Sequence, residues 1–370
     1  MGTYLLLILL LFRVATGAES CSREELFSRL NALLEKHYLW WDRIKDASWK
    51  DEKELMEQLR KIGDRWTSIT RQEEDRLWYL SSRMVGLGIR WDNNGYVTKV
   101  FPGSPAEKHG IREGDLIVSI QDITDKNLWR KAIREVERGQ PIRVELIRDG
   151  LFLSLQVEKG DFVVSPIEEV RIIRQGDKEL GYIKLTNFTQ PALQGFREAM
   201  ENFKTRGVDV LLIDLRDNGG GLISVAKGIV DMLVGGEGIM FYLEGRKGNM
   251  GVYQFKNPEG FKKPVVVLVN RQTASAAELM AVLLRRYSKA IIVGENTVGK
   301  YVGSNLFTLD TCLGLVLRLI TFEMKLPTGE AITSERGITP DCRLENKDPI
   351  QVSLECLSNH SVGVFPAGQP

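Results

Sequence analysis

From Gly181 onward the chain alternates short apolar runs with longer amphipathic ones, and that alternation restricts it to few folds. The runs at residues 182–185, 208–215, 265–269 and 291–293 have the length of strands. Those at residues 191–204, 222–233 and 276–286 have the spacing of helices. Strand and helix in turn predict an α/β domain.

The chain upstream has a different texture. Short β-type runs at residues 86–90, 96–101, 116–120, 142–147 and 152–157 are separated by glycine turns, with one helical stretch at 128–136. This predicts a small, mainly β domain. Before it, residues 23–80 are charged and helical in pattern. Leu26, Leu30, Leu33 and Leu34 form one apolar stripe, and Leu55, Met56, Leu59 and Ile62 form another. Such stripes are expected to pack on the body of the chain; packing on a second protomer, as a homo-oligomer, is the alternative.

At 370 residues the chain has room for two or three domains. Its 50 Lys and Arg balance 49 Asp and Glu without a long run of one sign, so nothing recommends a nucleic acid or an anionic membrane as partner. The first eighteen residues read as a signal peptide: an apolar run from Leu5 to Phe12, Arg13, then the small residues Ala15, Thr16, Gly17 and Ala18. The apolar run falls short of the roughly 20 residues that a stable membrane span needs, so cleavage near Ala18 and export are expected. No Lys or Arg precedes the run, and Glu19 near Cys21 argues against lipidation. Cys21, Cys312, Cys342 and Cys356 lack zinc-type spacing, and no metal is expected. In an oxidising compartment a disulfide is an option; four cysteines allow three complete pairings, and spacing does not choose among them.

The chain has three histidines, His37, His109 and His360, and none neighbours a serine motif in the α/β region. A lysine is therefore the natural base to consider. Ser275 follows the apolar strand at 265–269 and opens the helical run at 276–286. Ser275-Ala276-Ala277-Glu278 is also a capping box, which by itself needs no catalysis. Two further turns bear on the choice. Arg216-Asp217-Asn218-Gly219-Gly220-Gly221 follows the strand at 208–215, and its glycines let backbone N–H groups approach a reacting oxygen. Gly294-Glu295-Asn296-Thr297-Val298-Gly299-Lys300 follows the strand at 291–293. In the β region, Gly86-Leu87-Gly88-Ile89 opens a strand, and Pro102-Gly103-Ser104-Pro105-Ala106-Glu107 precedes Gly110-Ile111-Arg112-Glu113-Gly114-Asp115. Tight turns alone would explain these glycines; a loop that turns its N–H groups toward a peptide's terminal carboxylate would explain them as well.

The β region resembles a PDZ domain. The order of PDZ, then Asp-Leu-Arg-x-Asn-Gly-Gly-Gly, Ala-Ser-Ala-Ala-Glu and Gly-Lys resembles the carboxyl-terminal processing peptidases. The 25-residue step from Ser275 to Lys300 also matches that family. Gly337-Ile338-Thr339-Pro340-Asp341 and Ile62-Gly63-Asp64-Arg65-Trp66-Thr67 resemble its closing segment and its stretch before the PDZ domain.

The resemblance implies a crotonase-like or Clp-protease-like α/β core with an inserted PDZ domain and an N-terminal helical region. The expected divisions are residues 1–18 (signal peptide), 19–80 (helical), 81–160 (PDZ), 161–345 (peptidase core) and 346–370 (C-terminal helix and tail). It implies Ser275 as nucleophile, Lys300 as base, and an oxyanion hole from Ala276 with Gly219 or Gly220. Glu278 and Ser304 are candidates for support, and Gly86, Leu87, Gly88 and Ile89 for peptide binding. No cofactor is implied. The partners would be protein or peptide substrates with apolar carboxyl-terminal tails, and the location a bacterial periplasm or envelope. The chain departs from the family where Gly299-Lys300-Tyr301-Val302-Gly303-Ser304 replaces the usual Gly-Lys-Gly-Thr-Val-Gln, so Ser304 stands where a glutamine commonly assists the lysine. A pseudo-peptidase that only captures tails is the competing expectation. An acyl-CoA enzyme of the crotonase type is a third, disfavoured by export away from that cofactor.

Overall fold

The structure is a computed structural model that describes residues 22–345 and 347–362. The expected signal peptide and Cys21 lie outside the described residues. In chain order the helical region holds α1 (Arg23–His37), α2 (Glu52–Lys61), β1 (Ser68–Arg71) and α3 (Gln72–Ser81). The β region holds β2 (Arg83–Gly86), β3 (Ile89–Trp91), β4 (Val97–Val100), α4 (Pro105–Lys108), β5 (Leu116–Ile120), α5 (Lys126–Glu135), β6 (Pro141–Arg148), β7 (Leu151–Glu158) and β8 (Gly160–Val163). The α/β region holds β9 (Ile167–Gln175), β10 (Lys178–Leu185), α6 (Gln190–Arg206), β11 (Val210–Asp214), α7 (Ile223–Leu233), β12 (Gly236–Gly245), β13 (Gly248–Asn257), β14 (Val265–Val269), α8 (Ala276–Ser288) and β15 (Ile291–Gly294). β16 (Val302–Asp310), β17 (Leu315–Lys325), β18 (Cys342–Arg343) and α9 (Pro349–Val362) complete it.

The chain divides into two compact units. One contains Ala47–Val164 and the other contains Ser165–Leu306. In the first, β5, β6 and β7 form an antiparallel sheet, with β2 pairing β8 and β3 pairing β4. Leu87, Ile111, Ile117, Trp129, Val144 and Val157 are among the side chains of its core.

In the second, six strands run in the order β18-β15-β14-β11-β10-β9, parallel except for β9. Crossover helices cover a parallel sheet on its faces, so its strands are apolar on both sides. β14 is Val-Val-Val-Leu-Val, buried throughout. Leu211 and Ile213 of β11 face the cluster built with α6, α7 and α8, whereas Val210 and Leu212 face the cluster that includes Val352 and Cys356 of α9. The helical stripes Leu26, Leu30 and Leu34, and Leu55, Met56 and Leu59, are buried within the single chain.

The sequence pattern overlooks β9, the β12–β13 hairpin, β16 and β17. β12 and β13 carry glycines at 236, 238, 245, 248 and 251 and mix polar with apolar residues, which weakens the two-residue period. The strand expected at 86–90 is two, because Gly88 at φ 78° breaks it.

Among the described residues no helix is long and apolar enough to cross a membrane. Cys342 and Cys356 form a disulfide that ties β18 to α9, with Cα atoms 6.3 Å apart, and Cys312 is disulfide-bonded as well. Replacing Cys342 and Cys356 together by Ser should cost about 3 kcal/mol of stability, the loop-closure value for a link this short. Thermal unfolding without reductant reads the effect, and an unchanged midpoint would show that the link contributes nothing.

Candidate active site

β11, β14 and β15 are parallel neighbours, so the turns leaving their carboxyl ends emerge side by side, where α/β sheets gather ligands. The first turn carries Gly219, Gly220 and Gly221, the second Ser275, and the third Lys300. Cross-links lace them together. Asn218 O accepts from Ala274 N–H at 2.9 Å, Thr273 Oγ1 donates to Leu215 O at 2.8 Å, and Val298 N–H donates to Thr273 O at 3.0 Å.

Ser275 precedes the first residue of α8, half-buried, with φ 58° and ψ −119°. An ordinary N-cap has extended backbone; a non-glycine residue at this positive φ is strained by about 1–3 kcal/mol. Glu278 closes a capping box back onto Ser275, but the Ser275 hydroxyl faces the N3 amide without a cap hydrogen bond. A serine held at positive φ where a strand turns into a helix has the usual setting of a nucleophile.

Glu278 does more than cap. It is fully buried, and both carboxylate oxygens are saturated. Oε2 accepts from Ser275 N–H at 2.8 Å and Lys300 N–H at 2.9 Å; Oε1 accepts from Gly299 N–H at 2.7 Å and from Thr297 Oγ1. One buried carboxylate thus holds the backbones of both proposed catalytic residues. Glu278 is legible in the sequence as a support candidate, whereas Thr297 carries no signal there.

The glycine turn closes against Ser275. A Cβ on Gly220, at φ 98°, would stand 2.9 Å from Ser275 Cβ and 3.0 Å from Ala276 N. Gly220 N–H donates to Asn218 Oδ1 at 2.9 Å, so it is spent. Gly219 N–H and Ala276 N–H have no acceptor among the described residues. Of the two glycines expected to serve the oxyanion hole, Gly219 therefore has the open donor, while Gly220 provides the close approach.

The turn is braced from below by Asp214, buried at the end of β11. It accepts from Tyr182 Oη at 2.7 Å, from Arg216 N–H at 3.0 Å and from Arg216 Nε at 2.9 Å. Burial and the Asp214 carboxylate push the Tyr182 phenol well above its usual range, so it stays a neutral donor at ordinary pH. Asn218 Nδ2 donates to Leu185 O at 2.8 Å. Lys300 is half-buried. Ser304, on β16, does not take over the glutamine's part: its Oγ is buried and makes no hydrogen bond.

In the β unit, Leu87 O accepts from Ala106 N–H at 2.8 Å and Gly88 O from Phe101 N–H at 3.0 Å. The carbonyls of Leu87 and Gly88 are thus tied back, while Gly86 pairs with Gly160 and Ile89 with Val100. Gly88 is needed, because a Cβ there would stand 2.2 Å from Ser104 Cβ.

Glu278→Gln tests the carboxylate strap. An amide cannot accept at both ends, so its NH₂ would face donors, each orphaned one costing about 1–3 kcal/mol. Denaturant unfolding should show that loss, and a stability equal to wild type would refute the strap.

Two family models match the chain: peptidase family S41 over residues 179–344 and the PDZ domain over residues 61–158. It is 28% identical over 297 residues to a carboxyl-terminal-processing protease of Picosynechococcus, covering 77% of this chain and 70% of that one. It is 32% identical over 273 residues to the chloroplastic carboxyl-terminal-processing peptidase 2 of Arabidopsis thaliana, covering 70% of this chain and 52% of that one. Against a carboxy-terminal processing protease of Bacillus subtilis the identity is 28%, with 63% of the relative spanned. Some of these relatives are thus matched over little more than half their length. Among solved structures, the photosystem II D1 C-terminal processing protease superposes with a TM-score of 0.57 at 23% identity, covering 92% of this chain and 97% of that one, a likeness of fold. With both family models in chain order on the fold and motifs described, the chain carries a peptidase family S41 region, that of a serine-type peptidase, after a PDZ domain.

Proposed function

We propose that the chain is an exported serine endopeptidase with a Ser275–Lys300 dyad, acting on protein substrates at or near their carboxyl-terminal tails. The observation that carries this reading is the shared Glu278 carboxylate, which brings Ser275 and Lys300 onto one pair of oxygens. Ser275 Oγ attacks the scissile carbonyl while the Lys300 amine takes its proton. The oxygen that becomes negative is met by the N–H groups of Gly219 and Ala276. Lys300 returns the proton to the leaving amine, and water then releases the acyl group from Ser275 by the same route. A lysine can do this only as the neutral amine.

The PDZ unit holds the tail through the N–H groups of the Gly86–Ile89 loop. Disulfides at Cys312 and at Cys342–Cys356 support export to an oxidising compartment such as a bacterial periplasm or envelope. The unbonded Ser304 hydroxyl is the one observation that favours the competing reading, a pseudo-peptidase that binds tails without cutting them.

Incubating the purified chain with an unfolded substrate bearing an apolar tail, with mass spectrometry of the products, separates the two. Ser275→Ala should leave the chain folded, costing about 1 kcal/mol if it were only a cap, and should lower cleavage on the order of 10⁶-fold as the nucleophile. Lys300→Ala should also abolish cleavage without unfolding the chain. Lys300→Arg should fail too, because a guanidinium does not give up its proton near neutral pH. A folded Lys300→Ala protein that still cleaves at near wild-type rate would sink the dyad.

A further inference from the structure

The PDZ unit carries a charge pattern that the glycine loop does not explain. β3 pairs with β4 along one edge, and among the described residues no strand pairs with its other edge. α5 lies alongside: Trp91 of β3 meets Trp129 of α5 edge to face, with ring centroids 5.8 Å apart. The Arg130 guanidinium of α5 sits 5.4 Å from the centroid of the Trp91 ring. Lys126 and Arg134 lie one turn before and one turn after Arg130, so three exposed cations run down one stripe of the helix.

The other bank of β3 is cationic as well. Arg90 stands directly opposite Lys99 in the β3–β4 register, and their charges lie 5.3 Å and 5.4 Å from the ring of Phe101. Like charges at four-residue helix spacing and directly opposed across a strand pair both repel. Among the described residues, Arg90, Arg130 and Arg134 have no carboxylate partner within 4.0 Å. Elsewhere in the same unit cations are paired with acids: Arg148 with Asp115, Arg138 with Asp161, Arg143 with Asp122.

We propose that this groove takes extended carboxyl-terminal segments with acidic side chains just upstream of the apolar terminal residue. The inference rests on the tail-binding reading of the Gly86–Ile89 loop and adds to it the charge class of the substrate. A segment laid along β3 alternates its side chains toward α5 and toward the β4 side. Upstream carboxylates therefore meet Arg130 and Arg134 on one bank, and Arg90 and Lys99 on the other.

The test uses the full chain with Ser275→Ala, so that bound peptide is not consumed, and fluorescein-labelled peptides ending in the same apolar residue. Their upstream positions are filled with Glu, Ser or Lys, and an amidated Glu peptide serves as control. Polarisation titrations should rank Glu above Ser above Lys, with a gap of about tenfold or more between the ends that narrows as salt rises. Arg130→Gln should shrink the gap, and Arg130→Glu with Arg134→Glu should invert the order while the free carboxylate is still preferred over the amide. Equal affinities for the three free-acid peptides, or an order untouched by charge reversal, would overturn the inference and leave tail binding standing. If no peptide bound, or acid and amide bound alike, the tail-binding reading would itself fail and take the inference with it.

Discussion

The site depends on one buried carboxylate. Ser275 and Lys300 come from turns after different strands, 25 residues apart, and no covalent or helical constraint sets their separation. Glu278 sets it by accepting from both of their backbone N–H groups through Oε2. A buried carboxylate is costly unless its lone pairs are met, and here each oxygen has two donors. The requirement acts in both directions: the charge needs those four donors, and so the two turns must come together for α8 to begin where it does.

The constraint extends beyond the strands. Thr297 Oγ1, which donates to Glu278, accepts from Ile338 N–H at 2.8 Å. The closing segment is thereby drawn in against the lysine turn, and two glycines make room for it. A Cβ on Gly299 would stand 2.5 Å from Glu335 O, and one on Gly337 would stand 2.1 Å from Thr297 O, each at positive φ. Asp341 N–H then donates to Ile292 O, and its Oδ2 accepts from Ile292 N–H, both at 2.7 Å, which sets Cys342 beside Val293 as β18 joins the sheet. The family's closing segment is thus the outer wall of the lysine turn.

The α/β order was legible because parallel strands buried on both faces are continuous apolar runs, and β11, β14 and β15 all read that way. The position of the three motifs was legible for the same reason, since each follows such a strand. Less legible were the roles that depend on register. Ser-x-x-Glu at 275–278 reads as a cap, and its side chain does return to Ser275, but the bonds to Gly299 and Lys300 cross from another strand and leave no local pattern. Gly219 and Gly220 are alike in sequence; only the bond from Gly220 N–H to Asn218 Oδ1 separates the open donor from the spent one. The β12–β13 hairpin was missed because its glycines dilute the strand period.

The departures around Lys300 matter less once its backbone is considered. In the sequence Ser304 stands where the family commonly has a glutamine, and the Ser304 hydroxyl bonds nothing. Yet Lys300 is held on both sides through its main chain: its own N–H by Glu278 at 2.9 Å, and the next carbonyl, Tyr301 O, by Met324 N–H of β17 at 3.0 Å. These two bonds restrain the backbone around Lys300 without any contribution from residue 304. What a glutamine would add is control of the last torsions near the amine. Tyr301 is half-buried and packs against the core of the same unit. The exchange at residue 304 therefore leaves the Glu278 strap, on which the geometry rests, untouched.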